Sequence, residues 1–417
     1  MARKLNAAAI PDGWKYDLLD KFATRCSGHT PSKTYPEYWD GGIKWISLTD
    51  SYRLDKGYVY ETDKEISLEG IKNSSAELHP AETVVLSRDA GIGKSGVMAV
   101  PMAVSQHFIA WKCDNQEKLN SWFLYNWFQL NKAEFERQAV GSTIKTIGLP
   151  YFKKLKIAMP PYPEQHKIAK ILSTWDKAIS TTEQLLANSQ QQKKSLMQQL
   201  LTGKKRLLDN NEVRFVGEWK YVVLGCVFEK ISNGVTYDAK SLSGLPVTRI
   251  ETISTGEIDF KKVGWAPDSE NTKRFKLEIG DILYSHINSL EHIGRVAYFN
   301  DNRSLYHGMN LLLLRTKKQN NSLFFYHLLN SQVGKKYAKL YAKSAVNQAS
   351  ISTTDIKAFK VYIPESEEQQ KIATVLSTAD QEITTLQQKL DALKQEKKAL
   401  MQQLLTGKRR VKVEEAA

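Results

Sequence analysis

The stretch Glu164-Gln165-His166-Lys167-Ile168-Ala169 opens a 43-residue segment that ends Met197-Gln198-Gln199-Leu200-Leu201-Thr202-Gly203-Lys204-Lys205-Arg206. It returns at 368–410, beginning Glu368-Gln369-Gln370-Lys371-Ile372-Ala373 and closing Met401-Gln402-Gln403-Leu404-Leu405-Thr406-Gly407-Lys408, with 26 of 43 positions identical and no gap at an offset of 204. One chain therefore carries two copies of one device. In the first copy the apolar residues Ile168, Leu172, Trp175, Ile179, Leu186, Leu196 and Leu200 fall at steps of three and four or their sums, which is a coiled-coil seam. The second is more complete: Ile372, Leu376, Ala379, Ile383, Leu386, Leu390, Leu393, Leu400 and Leu404. Each leaves one lysine in the seam, Lys193 and Lys397. Pro163 suits the start of a helix, Ser366 with Gln369 has the capping-box spacing, and Gly203 and Gly407 stand where a helix takes a left-handed last residue. Two uninterrupted helices of about 40 residues, each about 60 Å long, are the expectation. Two such helices in one chain can pair with each other antiparallel.

The rest of the chain follows the same division. At 417 residues it exceeds one ordinary core, and the period points to segments 1–160, 161–208, 209–363 and 364–410 with a tail at 411–417. The intervening regions are diverged versions of each other. Trp14-Lys15-Tyr16 answers Trp219-Lys220-Tyr221, and Ile157-Ala158-Met159-Pro160 answers Val361-Tyr362-Ile363-Pro364. Ser87-Arg88 with Ile92-Gly93-Lys94 answers Ser285-His286 with Ile293-Gly294-Arg295. Short runs at 42–47, 83–87, 280–284 and 311–315 read as strands, and amphipathic pieces near 117–138 and 320–342 as helices under the sheets. The fold class is α+β: two mixed α/β domains and two long helices forming an antiparallel intramolecular coiled coil, related by a pseudo-twofold.

Composition narrows the function. The chain has 41% hydrophobic and 25% charged residues and no apolar run near the length of a membrane span, so a soluble cytoplasmic protein is expected. Cys26, Cys113 and Cys226 lie too far apart for a disulfide framework or a closely spaced zinc motif, and no metal site is expected. The net charge of +14 suits a polyanion partner. Basic residues outnumber acidic ones by 21 to 18 in 1–160, 8 to 3 in 161–208 and 21 to 15 in 209–363, so the surplus is a broad surface and not a tail.

Enzymatic motifs fail on their residues. Gly91-Ile92-Gly93-Lys94-Ser95 resembles a phosphate-binding loop, but the glycine required five positions before Gly93 is Arg88. Pro160-Pro161-Tyr162 follows Met159, not the Asn or Asp of an adenine methyltransferase, and Pro267-Asp268 lacks the downstream acidic-x-Lys strand of a nuclease site. A non-catalytic chain is expected.

The order of variable region, helix, variable region, helix resembles the specificity subunit of type I restriction-modification systems along the whole chain. The motifs Ser27-Gly28-His29-Thr30-Pro31-Ser32-Lys33, Tyr38-Trp39, Gly42-Ile43-Lys44-Trp45-Ile46 and Asp50 look like one class of that family's target-recognition domain. Ile231-Ser232-Asn233-Gly234-Val235-Thr236-Tyr237, Pro246-Val247-Thr248-Arg249-Ile250 and Gly280-Asp281-Ile282-Leu283 are similar to another. The resemblance implies a reader of a bipartite target in double-stranded DNA, with no chemistry of its own. It implies assembly with two methyltransferase subunits carrying S-adenosylmethionine and two restriction subunits using ATP and magnesium. A non-catalytic scaffold, or a sequence-indifferent nucleic-acid binder dimerising through its helices, is the alternative.

Base edges are read by Arg, Lys, Asn, Gln, Ser and Thr, so the polar loops between strands are the candidates. They are Thr30, Ser32, Lys33, Ser47, Thr49, Arg53, Arg88, Lys94 and Lys145 in the first region. In the second they are Asn233, Thr236, Tyr237, Arg249, His286, Asn288, Arg295, Asn347 and Gln348. Trp39, Trp45 and Trp265 read as loop-packing residues.

Overall fold

A computed structural model describes residues 10–413, apart from 90, 114, 116, 142–144, 239, 346 and 347. Two helices of 39 residues dominate it, Tyr162–Leu200 and Ser366–Leu404. The chain divides into two compact units, 1–183 with 389–417 and 184–388, so that each unit takes one end of each long helix.

In the first unit the start of the first helix packs against the end of the second. Ile168 and Leu172 are fully buried in one core with Met401, Leu404 and Leu405, while Lys397 Nζ meets Asp176 Oδ1 at 2.5 Å and Lys394 meets Glu183 at 2.7 Å. In the second unit the roles exchange. Ile372, Ala373 and Leu376 share a core with Leu200 and Leu201, Lys193 pairs with Asp380, and Ser189 donates to Glu382 at 2.9 Å. Residue numbers fall on one helix as they rise on the other, so within each unit the two helices run antiparallel. The seam continues through Thr182 and Ser189, both buried, which completes the first helix's alternation of four and three.

The seam lysines are thus held by aspartates that are themselves copies of each other, Asp176 and Asp380. Each lysine side chain is only 15% exposed, yet its partner stays open to water. A buried leucine gains roughly 2 kcal/mol from apolar burial whereas a half-exposed pair contributes at most about 1. Lys397→Leu is therefore expected to raise the unfolding free energy of the first unit by about 1 kcal/mol. Thermal unfolding reads it, and a lower melting temperature would show that the ion pair stabilises more than the apolar burial that replaces it.

Each helix begins with a Glu-Gln pair that is buried, and here the sequence expectation needs correcting. Gln369 does not close a capping box with Ser366. Its Nε2 donates to Pro364 O at 2.9 Å, and its Oε1 accepts from Asn321 N at 3.0 Å, the cap of the helix Ser322–Asn330. Gln165 does the same with Pro160 O and Asn120 N, at 2.9 Å each. A glutamine amide that satisfies two buried backbone groups on another element is worth more there than one satisfying its own solvated helix start. The neighbouring carboxylates are clamped too. Glu164 accepts two bonds from Arg410 at 2.7 and 2.8 Å and one from Trp14 Nε1 at 3.3 Å. Glu368 accepts two from Arg206 at 2.6 and 2.7 Å and one from Trp219 Nε1 at 3.2 Å. Gly203 and Gly407 end the helices at φ 68° and 71°, the left-handed turn that sends Arg206 and Arg410 back to those glutamates.

The region before each long helix carries the same four-strand order, with a fifth strand added in the first. In the first, strand Thr24–Ser27 pairs with Phe108–Lys112, then Val84–Ser87, Ser95–Met98 and Tyr58–Val59. In the second the order is Phe228–Ser232, Leu312–Thr316, Ile282–Tyr284 and Val296–Tyr298. A two-stranded ribbon joins each sheet region to its helix, Lys15–Leu18 with Lys156–Met159 and Lys220–Val223 with Lys360–Ile363. The helix Ser121–Gln138 lies under the first sheet, burying Phe123, Phe128 and Phe135. Its counterpart is not one helix over 320–342 but two, Ser322–Asn330 and Gln332–Tyr341. Ser331 divides them, because its hydroxyl accepts from Val333 N and so starts a new helix.

Candidate nucleic-acid interface

In the first unit the candidate loops lie at one edge of the sheet and are bonded to one another. Arg88 N donates to His107 O at 3.0 Å, and Ile147 N donates to Arg88 O at 2.9 Å, so three loops are stitched through one residue. Asp89 accepts from His107 Nδ1 at 2.5 Å and from the Thr146 hydroxyl, and Thr30 donates to Gln106 Oε1. Two tryptophans brace the first loop from beneath: Trp45 Nε1 donates to His29 O at 3.0 Å and Trp39 Nε1 to Ser32 O at 3.1 Å. Their rings meet edge to face at 5.2 Å. On the adjacent side Lys94 Nζ donates to Ser51 O at 3.1 Å, tying the 88–94 turn to the 3-10 helix Leu48–Tyr52. Gly93 holds φ 77° and packs its bare Cα on Lys132 and Phe135, where a side chain would both strain the turn and collide.

Several candidates are committed to this framework. Ser47 is buried and caps the Leu48–Tyr52 helix through a reciprocal pair with Asp50, so it is a fold residue and not an exposed base reader. Arg53 is held by Asp63 at 2.7 Å and Asp50 at 3.3 Å, and Arg88 Nε by Ile147 O at 3.1 Å. Ser32, Lys33, Thr49 and Lys145 are exposed.

The second unit assembles a similar edge from different residues. Asn233 Nδ2 donates to Met309 O at 2.9 Å and lies 3.3 Å from His286 Nε2. Tyr237 Oη accepts from Asn310 at 3.0 Å, and Asn288 donates to Ser285 Oγ at 3.0 Å. Gln348 is exposed on the strand Gln348–Ser350, beside Asn288 across the Asn288–Ala349 pairing. Thr236 is exposed. Arg249 gives one nitrogen to Glu251 at 3.2 Å and keeps a buried Nε without a partner among the described residues. Arg295 turns away, to Ser254 O and His292, and His286 is buried, against the exposed role expected of it. Burial holds the imidazoles of His286 and His307 neutral down to a pKa of about 4. Asn347 lies outside the described residues.

Sequence reasoning missed the polar residues that knit each edge: Asp89, Gln106, His107 and Thr146 in one unit, Asn310 in the other. Asp89, Gln106, His107 and Asn310 stand in short connections next to strands and Thr146 in an isolated bridge with Val140, but nothing local says which of these segments meet.

Comparison with known proteins agrees with this duplicated construction. The profile of the type I restriction modification DNA specificity domain matches residues 11–188 and 217–395. The type I restriction enzyme MjaVIII specificity subunit of Methanocaldococcus jannaschii is 24% identical over 98% of this chain and 96% of its own length. A second protein of that organism, named as the MjaX specificity subunit, is 43% identical over 194 residues, which are 45% of this chain and 46% of the relative. The crystal structure of the type I restriction-modification S subunit from M. genitalium matches 96% of this chain and 97% of its own with a TM-score of 0.60 at 16% identity, a likeness of fold. Two family domains, each running into a copy of one helix, place this chain in the family of type I restriction-modification specificity subunits.

Proposed function

We propose that the chain is the DNA-reading subunit of a type I restriction-modification complex, each unit reading one half of a split target. The observation that carries this reading is the repetition of one sheet with a polar, loop-built edge whose exposed side chains differ between the copies. A shared scaffold with divergent reading residues is what two different half-sites require. The chain itself is non-catalytic. Methylation with S-adenosylmethionine, and ATP- and magnesium-dependent cleavage, belong to partner subunits. The paired copies of the helical device offer two matched docking surfaces, for two methyltransferase and two restriction subunits.

Exchange of residues 1–160 for those of a relative with another target tests this directly. Mapping methylated adenines in cells carrying the chimaera should show one half-site changed and the other retained. A change in both would overturn the division of labour. Within the first unit, Lys33 and Lys145 are the exposed cations of the loop edge. Lys33→Ala with Lys145→Ala is expected to lower the slope of log affinity against log salt by about 2, one for each phosphate left without its cation, without altering sequence preference. An unchanged slope in the assembled complex would remove both from the interface.

A further inference from the structure

We propose that Cys26, Glu77 and His79 form a site for a divalent transition metal, suited to zinc, at the edge of the first sheet. The Cys26 Sγ, a Glu77 carboxylate oxygen and a His79 ring nitrogen all lie within 4.8 Å of one another. Cys26 meets the distant Glu77 and His79 because strand Thr24–Ser27 is the outermost of its sheet and the 77–79 segment runs past it, held by the mutual backbone bonds of His79 and Met102 at 2.8 and 3.0 Å. Glu77 and His79 stand two apart in extended chain, so both face the same side.

His79 gives the cluster its meaning. Its side chain is wholly buried, and neither ring nitrogen has a hydrogen-bond partner among the described residues. An imidazole buried with both nitrogens unmet is a costly arrangement unless something else satisfies one of them. A metal does so, and a thiolate, an imidazole and a carboxylate are a donor set that zinc and cobalt favour over magnesium or calcium. Cys26 is buried at 7% exposure while Glu77 is exposed, so the site is closed on the protein side and open to water for a fourth ligand. On binding, the Cys26 thiol releases its proton to solvent and the metal–sulfur bond forms, with no change of oxidation state. The nearby Lys112 Nζ lies 3.0 Å from Glu77 Oε2. Its charge opposes the ion, so Lys112→Gln should tighten binding.

The consequence reaches the reading loop. Cys26 is two residues from Gly28, whose Cα rests against the Val104 and Ser105 carbonyls, and the next residues are His29–Lys33. A metal at Cys26 would pin the base of that loop to the 77–79 segment.

Cobalt titration of the reduced full-length chain is the test. One equivalent of Co2+ is expected to bind with a thiolate-to-cobalt charge-transfer band, and the protein purified without chelator should carry close to one equivalent of zinc by mass spectrometry. Cys26→Ser should abolish the band, and Glu77→Gln, on an exposed residue that does not endanger folding, should weaken Co2+ binding at least tenfold. Cys226→Ser, in the other unit, should change nothing. Absence of a band in the native chain, a band that survives Cys26→Ser, or Glu77→Gln binding Co2+ as tightly as the native chain would each overturn the proposal. Should Cys26→Ser fail to fold, as judged by circular dichroism, the native titration and Glu77→Gln decide.

Discussion

Arg206→Met is expected to lower the stability of the second unit by about 3–5 kcal/mol, the range for removing one partner of a buried ion pair. The Glu368 side chain is 1% exposed, and Arg206 is its only cationic partner among the described residues. Two parallel bonds at 2.6 and 2.7 Å neutralise the carboxylate, and a third Arg206 nitrogen donates to Gly217 O at 2.8 Å. Methionine keeps the length and much of the packing of the arginine stem but leaves a buried anion whose remaining donor among the described residues is the Trp219 indole. The double variant Arg206→Met/Glu368→Gln should recover most of the loss, because a neutral amide can still accept from Trp219. The duplicate in the first unit offers an internal contrast. Arg410 is 43% exposed, so water replaces part of what Arg410→Met removes and the loss should be smaller. Urea unfolding of these variants reads this, and a loss under about 1 kcal/mol for Arg206→Met, or a double variant no more stable than the single, would show that the clamp is not what fastens the helix to the ribbon.

Acidification from pH 7 to 5 is expected to cost the second unit about 6 kcal/mol, about 2 from each of three buried histidines. Burial lowers the pKa of His286 and His307 to about 4 and that of His327 to about 3, where Lys193 adds to the effect. Unfolded imidazoles take up protons below about 6.5, the folded ones only near 4 or lower, so the unfolded state binds more protons throughout that window. Stability is complete above pH 6.5 and is lost as the pH falls towards 4. The surroundings support the direction. His307 lies near Lys230 and His286, while His327 has Ser377 at 3.3 Å and Asp380 only at 3.9 Å, with that aspartate already engaged by Lys193. Urea unfolding at pH 7, 6 and 5 with segment-resolved hydrogen exchange would follow the second unit, and His327→Gln should remove about a third of the pH dependence. A flat profile between pH 7 and 5 would mean that these imidazoles gain protons without unfolding.

Much of this architecture was readable along the chain because the forces that set it are local and periodic. A seam at steps of four and three needs no tertiary information, and Gly203 and Gly407 mark their own left-handed turns. Recurring landmarks such as Trp14-Lys15-Tyr16 and Trp219-Lys220-Tyr221 matched ribbons that proved to have the same pairing. The interface was only partly legible. Polar composition marks loops that meet in the fold, but whether a polar side chain faces solvent or closes a framework depends on which loops meet, and Ser47 and His286 are buried and Arg295 bonded inward for that reason.

By itself the sequence determined the duplication, the long helices, their antiparallel pairing and the family, since repetition and heptad spacing survive in one dimension. Only the tertiary structure decided what the polar members of the repeat do. The seam lysines find Asp176 and Asp380, and Glu164, Gln165, Glu368 and Gln369 become buried clamps. The approach of Cys26, Glu77 and His79 belongs to the same class. Each depends on a partner far along the chain whose distance is fixed by packing, and burial then turns an ordinary polar residue into one that must be satisfied.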